Sequence, residues 1–162
     1  DYVYLNLEEV IKDDRVQRFI ILDGIEDPHN LGAIMRTAEA TKLDGIIMSK
    51  KHQVPLNATV AKVSSGAIKH VKVTLEPNIN QAIQILKQHN ILVVGTDGNT
   101  DTLYTELPKN QSLAIVLGNE GEGIRPLVKL NCDLLVKIPM YGKINSLNVS
   151  VAAALMMYQM IL

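Results

Sequence analysis

Two polar loops in the C-terminal third of the chain carry residue types that could do chemistry, and each follows a short apolar run. The first loop spaces glycines as G-x-x-G-x-G at Gly118, Gly121 and Gly123, with Glu120 and Glu122 between them. Glycines permit positive φ and a close approach of the backbone to a ligand. Two carboxylates would repel a phosphate, so the composition favours a neutral or cationic ligand, such as a sulfonium with hydroxyl groups. From the glycines alone, a tight strand-to-helix turn with solvated glutamates is an equally good interpretation.

The second loop, residues 139–150, leads into a C-terminal segment that is apolar on almost every face. Asn145, Ser146 and Asn148 cluster at the start of that segment, where such side chains cap helices. Because a helix needs one cap, the surplus of polar side chains favours a binding role. The segment is shorter than the roughly 20 residues of a membrane span. It therefore predicts a helix buried on several sides.

The elements that position these loops alternate between apolar runs and amphipathic stretches. This alternation predicts an α/β fold with a mainly parallel six-stranded sheet and helices on both faces. Ligands bind beyond the carboxyl ends of the strands in such sheets, so both loops are expected at one site. A helix is predicted from Leu31 to about Lys42. The predicted strands are residues 18–23, 45–48, 71–73, 91–96, 113–117 and 134–138.

Composition narrows the class of protein. With 162 residues, 47% of them apolar, the chain is long enough for one globular domain with a substantial core. The single Cys132 excludes an internal disulfide and favours a reducing, cytoplasmic location. The four histidines are scattered and no cysteine pair is present, so no metal site is predicted.

Charge is distributed unevenly along the chain. The net charge of −1 argues against a dedicated nucleic-acid binder. Residues 42–72, however, carry six lysines and two histidines against the single acid Asp44. That segment could contact RNA phosphates, although a solvated face is the more ordinary interpretation.

Three segments together carry a family resemblance. They read D-P-H-N-L-G-A-I-M-R-T-A-E-A at residues 27–40, I-V-L-G-N-E-G-E-G-I-R at 115–125, and I-P-M-Y-G-K-I-N-S-L-N-V-S-V-A-A-A at 138–154. In this order they resemble the three motifs of the SpoU-type (TrmH-like) RNA ribose 2′-O-methyltransferases of the SPOUT superfamily. The resemblance covers about residues 19–162, and the combination is far more specific than any one motif.

The resemblance implies a C-terminal trefoil knot that binds S-adenosylmethionine, and methyl transfer to a ribose 2′-hydroxyl of RNA. Arg36 lies off the apolar stripe of its predicted helix, so a surface ion pair with Glu39 is the ordinary interpretation. With the motif match, a functional role is the better hypothesis. The resemblance implies that Arg36 helps to activate the hydroxyl together with an RNA phosphate. Because a guanidinium is a poor base, a role in fixing the ribose and phosphate is the preferred hypothesis, and a role as base stays open. The implied catalytic and RNA-facing residues are Asn30, Arg36, Glu120, Ser146 and Asn148. The implied cofactor-binding residues are Thr96, Leu117, Gly118, Ile138, Met140 and Leu147.

The resemblance also bears on substrate and assembly. Residues 60–67 are similar to the matching stretch of members that methylate a guanosine of large-subunit ribosomal RNA; a tRNA is the second candidate. Those members carry an N-terminal RNA-binding domain, so we expect a fragment of a longer protein. Residues 1–18 would be a linker or docking segment, and residues 19–162 the methyltransferase domain. Family members are homodimers whose site draws on both subunits, and the apolar C-terminal helix predicts the same assembly.

Two other classes of function stay open. One is a non-catalytic RNA-binding or assembly protein with the same fold, which the complete polar set of the motifs argues against. The other is a nucleotide-dependent oxidoreductase, which the glycine spacing disfavours because it is not G-x-G-x-x-G. A hydrolase is weakened by the lack of a G-x-S-x-G nucleophile elbow.

Overall fold

A six-stranded parallel sheet organises the structure, a computed structural model that describes residues 2–119 and 121–162. The strand order is β3-β2-β1-β5-β4-β6, and every strand pairing is parallel. The predicted α/β class with a six-stranded parallel sheet is therefore confirmed. The trefoil knot stays a prediction. The strands are β1 Arg18–Asp23, β2 Gly45–Ser49, β3 Val73–Glu76, β4 Leu92–Thr96, β5 Leu113–Gly118 and β6 Leu134–Val136.

Helices cover both faces of the sheet, as predicted. Alternate side chains of β1 point to opposite faces. Ile20 and Leu22 pack in the core beneath α2, α3 and α6, whereas Phe19 and Ile21 pack in the core beneath α1, α4 and α5. Short 3₁₀ turns lie at Ala67–Lys69 and Tyr104–Glu106. The α-helices are α1 Leu7–Val10, α2 Pro28–Ala40, α3 Ala58–Val63, α4 Ile79–Gln88, α5 Pro126–Asn131 and α6 Val149–Ile161.

Several element boundaries differ from the predicted ones, for local reasons. Helix α2 begins at Pro28 rather than Leu31, because the Asp27 carboxylate caps it by accepting a hydrogen bond from the His29 amide. Strand β3 begins at Val73 rather than Val71, whose amide instead donates to Ala67 at the 3₁₀ turn. Strand β6 ends at Val136 rather than at residue 138.

Residues 2–17 include several side chains and backbone groups that contact the sheet and its helices. The Leu5 amide donates to the Val73 carbonyl at the free edge of β3, and the Tyr4 hydroxyl accepts from the Leu56 amide. Leu7 and Val10 of α1 are buried in the core of the α4 face. In the part of the chain that is described, no helix combines the length and apolarity that crossing a bilayer would require.

Helix α6 divides its apolar residues between the core and the surface. Val149, Ala153, Met156, Met157 and Met160 are buried. On the opposite side, an exposed stripe repeats at the spacing of one helix face, and it consists of Val151, Leu155, Tyr158 and Leu162.

Candidate active site

Three loops at the carboxyl ends of the adjacent strands β5, β4 and β6 surround a cavity of about 730 Å³. The lining residues in these loops fall within residues 96–99, 117–124 and 136–147. Helix α6 closes one side with Val149, Ala152 and Met156. The cavity is thus at the edge of the sheet where the two polar loops were expected to meet.

The structure brings the six predicted cofactor-binding residues to this one cavity. The Thr96 hydroxyl donates to the Val116 carbonyl at 3.0 Å, which ties the end of β4 to β5. Met140 and Leu147 are only partly covered, so their side chains are available to a ligand. The six residues lining the cavity are Thr96, Leu117, Gly118, Ile138, Met140 and Leu147.

The glycine loop folds back on itself so that Gly118 lies against Gly123. At this contact, position 118 has no room for a side chain. A Cβ at Gly118 would lie 2.1 Å from the Gly123 carbonyl oxygen. The Gly123 amide donates to the Asn119 carbonyl at 2.8 Å, and Gly121 and Gly123 have φ of +85° and +71°. Glycine is therefore required by the loop's own crossing, before any ligand approaches.

A bidentate ion pair, which the sequence analysis did not single out, fixes the far end of the glycine loop. Arg125 donates to both oxygens of Asp23, at 2.8 and 2.9 Å, and the Asp23 side chain is only 3% exposed. These hydrogen bonds raise the pKa of the Arg125 guanidinium. One feature of the sequence could have indicated this ion pair: an aspartate ends strand β1 directly after an apolar run. The pair anchors the loop between β5 and α5 to the carboxyl end of β1.

A second ion pair lies on the cavity wall, and it too was not predicted. Lys129 approaches the Asp97 carboxylate at 3.2 Å, and the Asn99 amide donates to the same carboxylate. The hydrogen bond from Asn99, followed by the interactions with Lys129, lowers the pKa of Asp97. The wall therefore keeps an ionised carboxylate as a hydrogen-bond acceptor at neutral pH.

Asn148 links the cavity to the start of α2. Its side-chain oxygen caps α6 by accepting from the amides of Ser150 and Val151 at 2.9 and 3.3 Å. Its side-chain nitrogen donates to the Asn30 side-chain oxygen at 3.1 Å. The structure thus joins two predicted catalytic residues that are far apart in sequence.

The other predicted catalytic residues are placed differently. Ser146 is exposed and lines the cavity, as does its neighbour Asn145. Glu120 lies outside the described residues.

Arg36 is exposed and is not among the described residues that line the cavity. It follows Asn30 by six residues in α2, which places it about 9 Å along the helix axis and about 120° around it. Among the ion pairs of the described residues, none joins Arg36 to Glu39. Instead, the Arg36 guanidinium donates to the Ser65 hydroxyl at 3.1 Å.

Ser65 occupies a position that glycine usually fills. Helix α3 ends in a Schellman motif, in which the Ser65 amide donates to Lys62 and the Gly66 amide donates to Ala61. Ser65 has φ of +54°, in the left-handed region. Its hydroxyl, which a glycine would lack, is the group that Arg36 contacts.

Neither a metal centre nor a reactive thiol is evident at the site. Within the described residues, no three His, Cys, Asp or Glu side chains come close enough to hold a metal ion. Burial raises the pKa of the Cys132 thiol to about 11. Cys132 is therefore protonated at neutral pH and a weak nucleophile.

Comparison with known sequences gives a consistent picture. The family model described as SpoU rRNA Methylase family matches residues 17–158. A Staphylococcus aureus (strain MSSA476) protein assigned to the TrmH family of tRNA/rRNA methyltransferases is 48% identical over 162 residues. That alignment covers 98% of this chain and 65% of the relative, so the chain spans less than two thirds of the relative's length.

Solved structures share the fold. The AdoMet-bound rRNA methyltransferase from Sinorhizobium meliloti superposes with a TM-score of 0.89 and 25% identity, over 97% of this chain and 60% of that one. A structure described as an RNA 2′-O ribose methyltransferase superposes with a TM-score of 0.81 and 29% identity, over 92% and 57%. The match over residues 17–158, together with three motifs placed around the carboxyl edge of the sheet, shows that the chain belongs to the SpoU rRNA methylase family.

Proposed function

We propose that this protein transfers a methyl group from S-adenosylmethionine to a ribose 2′-hydroxyl of RNA, with a guanosine of large-subunit ribosomal RNA as the first candidate. One observation carries the proposal. Leu147 and Val149, the two chain neighbours of Asn148, line the cavity that holds the six cofactor residues, and the Asn148 side chain is bonded to Asn30 of α2. A methyl donor and a positioned hydroxyl could therefore meet at that junction.

The chemistry of the lining fits S-adenosylmethionine. Backbone groups and both polar and apolar side chains surround the cavity, and its wall carries the carboxylates of Asp97 and Glu122 together with three lysines, Lys129, Lys137 and Lys143. Carboxylates accept hydrogen bonds from hydroxyl and amino groups, and ammonium groups donate to a carboxylate, so the lining offers partners to each polar part of this cofactor. The bound cofactor supplies an activated methyl group on a sulfonium. The crossing of the glycine loop and the Asp23–Arg125 ion pair stabilise the shape of the cavity.

The protein's part in the reaction is mainly to position the hydroxyl. The acceptor oxygen must line up with the methyl group and give up its proton, and alignment alone can supply much of the acceleration. Ser146 provides a hydroxyl group in the cavity lining, and the bonded amides of Asn148 and Asn30 adjoin that lining where Asn148 lies between Leu147 and Val149. A guanidinium group offers only hydrogen-bond donors, so we assign Arg36 to binding the ribose and the adjoining phosphate rather than to proton removal.

A homodimer would complete this site. The exposed stripe on α6 is an apolar surface of the kind that marks an interface. Helix α2 packs against α6, so an interface through α6 also brings α2 to the two-fold axis. Because Arg36 lies away from the cavity of its own chain, we infer that it acts at the cavity of the other subunit. The stripe consists of Val151, Leu155, Tyr158 and Leu162.

Replacing Leu155 with Glu tests the interface without disturbing the core. The neighbouring Met156 is only 1% exposed, so a glutamate there would disrupt the fold instead. We expect Leu155→Glu to sediment as a monomer and to lose methyl transfer, while Leu130→Glu on α5 serves as a control at a leucine that is also exposed. A wild-type monomer at micromolar concentration, or a dimeric and active Leu155→Glu protein, would contradict the interface.

Methyl transfer itself is tested with tritium-labelled S-adenosylmethionine and unmodified ribosomal RNA or tRNA. We expect label in ribosomal RNA, resistant to alkaline cleavage at one nucleotide because the 2′-oxygen is blocked. Label in tRNA alone would support the proposed reaction and show that the substrate is tRNA rather than ribosomal RNA. Tight cofactor binding with no transfer to either RNA, or transfer to a base atom, would overturn the proposed function.

A further inference from the structure

The loop after β2 brings three basic residues to the edge of the sheet that holds the candidate active site. Lys50, Lys51 and His52 follow β2 directly, and all three are exposed. The Ile25 amide donates to the Gln53 side chain at 3.0 Å, and the Ile25 carbonyl accepts from Val54 at 2.9 Å. The basic loop, residues 50–52, is thus attached to the segment that leads from β1 into α2.

The side chains of the basic loop take no part in the ion pairs of the described residues. Among the ion pairs of the described residues, none includes Lys50, Lys51 or His52, whereas Arg15, Lys87, Arg125 and Lys129 each pair with an aspartate. The two acids in the neighbouring segment are already engaged. Glu26 accepts from the Asn119 side chain, and Asp27 caps α2.

The loop is held in a defined conformation. The Lys50 amide donates to Glu76 at 2.9 Å, and the Ser49 hydroxyl donates to the Lys51 carbonyl at 3.1 Å. His52 has φ of +52°, in the left-handed region that non-glycine residues rarely adopt.

The distance to the site suits a polynucleotide. Ile25, which is bonded to the two residues that follow the basic loop, precedes Asn30 by five residues, so the two Cα atoms lie within about 18 Å of each other. A nucleic-acid strand in a helix places a phosphate about every 3.4 Å along the axis, so this span corresponds to at most about five phosphates. A strand with one ribose at Asn30 would therefore reach the basic loop.

We propose that Lys50, Lys51 and His52 bind the phosphates of the RNA strand that flanks the methylated nucleotide. This inference rests on the proposed function, because it takes RNA as the substrate of the same site. The loop would increase the affinity for RNA and fix the position of the strand on the protein. It would not recognise the base sequence, since phosphates are common to all sequences.

The test compares two double variants that remove the same charge from opposite edges of the sheet. Lys50→Gln/Lys51→Gln changes the basic loop, while Lys42→Gln/Lys72→Gln changes exposed lysines that precede β2 and β3. Binding of a short fluorescein-labelled single-stranded RNA is measured between about 50 and 200 mM salt. The logarithmic salt slope should fall by about 0.7 for each phosphate that the first variant no longer neutralises, and it should stay unchanged in the second variant.

Steady-state kinetics gives an independent reading. In the first variant, KM for RNA should rise while kcat at saturating RNA and the Kd for S-adenosylmethionine stay at the wild-type values. An unchanged salt slope and KM would overturn the inference, as would an equal loss in both double variants. If the wild type binds RNA through the basic loop but does not methylate it, the proposed function fails and the phosphate-binding role stands.

Discussion

The two sides of the candidate site, one around β4, β5 and β6 and the other around α2, differ in the groups that form them. Around β4, β5 and β6, the cavity takes its shape from main-chain loops, glycines and paired charges such as Asp23–Arg125. Around α2, Arg36 and the basic loop present exposed side chains that the core does not need. Substitutions on the β4–β6 side should therefore lower cofactor affinity and stability together. Substitutions on the α2 side should change the reaction with RNA and leave the fold intact.

The largest effect is expected on the α2 side, from Arg36→Ala. Loss of the group that fixes the ribose and phosphate should lower kcat by about 100-fold or more. Single-turnover methyl transfer measures the rate, and calorimetry should show unchanged cofactor affinity. Glu39→Ala, a change at another exposed residue of the same helix, should stay active. An Arg36→Ala protein within a few-fold of wild type would remove the residue from the reaction.

Gly118→Ala tests the cavity side, where a methyl group meets the Gly123 carbonyl oxygen. We expect the loop to open and the affinity for S-adenosylmethionine to fall by about tenfold or more, which corresponds to about 1.4 kcal/mol. Gly142→Ala is the matched control, because it lines the same cavity and its added Cβ meets no atom within 4 Å. Equal affinities for the two variants by calorimetry would show that the crossing does not shape the cofactor site.

A smaller change should follow from Arg125→Lys, which keeps the charge and loses the bidentate geometry toward buried Asp23. We expect the free energy of unfolding to fall by about 1–3 kcal/mol, because one charge-assisted hydrogen bond is removed. Urea denaturation measures it, and cofactor affinity should decline alongside. A loss of stability with full affinity would mean that the ion pair supports the fold but not the cavity.

The smallest effect is predicted for Ser65→Gly, back on the α2 side. Glycine relieves the left-handed strain, so stability should rise by up to about 1 kcal/mol. At the same time Arg36 loses its hydroxyl partner, so methyl transfer should slow slightly. Ser65→Asn, which tolerates the left-handed region and keeps an acceptor, should retain the rate. A Ser65→Gly protein that is both more stable and fully active would make the Arg36 contact incidental.

The sequence predicted local features well and long-range ones poorly. Short apolar runs located five of the predicted strands closely, because buried parallel strands need continuous apolar side chains. The prediction for β3, whose sequence is Val-Thr-Leu-Glu, overlaps the observed strand only at Val73. The Asp23–Arg125 pair joins residues 102 positions apart, and no local pattern reveals such a contact. Similarly, the sequence suggests that Gly118 is a glycine for ligand binding, whereas the fold shows that it contacts Gly123.

Helix α6 shows why an apolar sequence can hide its own orientation. With almost no polar residues, it has no periodic stripe that separates the core face from the exposed face. Met156 and Leu155 are chemically alike in sequence, yet the first is buried and the second is 37% exposed. Only the packing of α6 against the sheet assigns one to the core and the other to the proposed interface.

The claim that the two sides meet across a subunit boundary is tested most directly by mixed dimers. Arg36→Ala and Asn148→Asp chains, each inactive alone, are combined and the heterodimer is purified with two affinity tags. Asn148→Asp keeps the cap acceptor and loses the amide that donates to Asn30. If Arg36 serves the partner's cavity, one of the two sites is intact and about half of the wild-type activity returns. A heterodimer as inactive as its parents would place Arg36 and Asn148 in the same subunit's site and contradict the account.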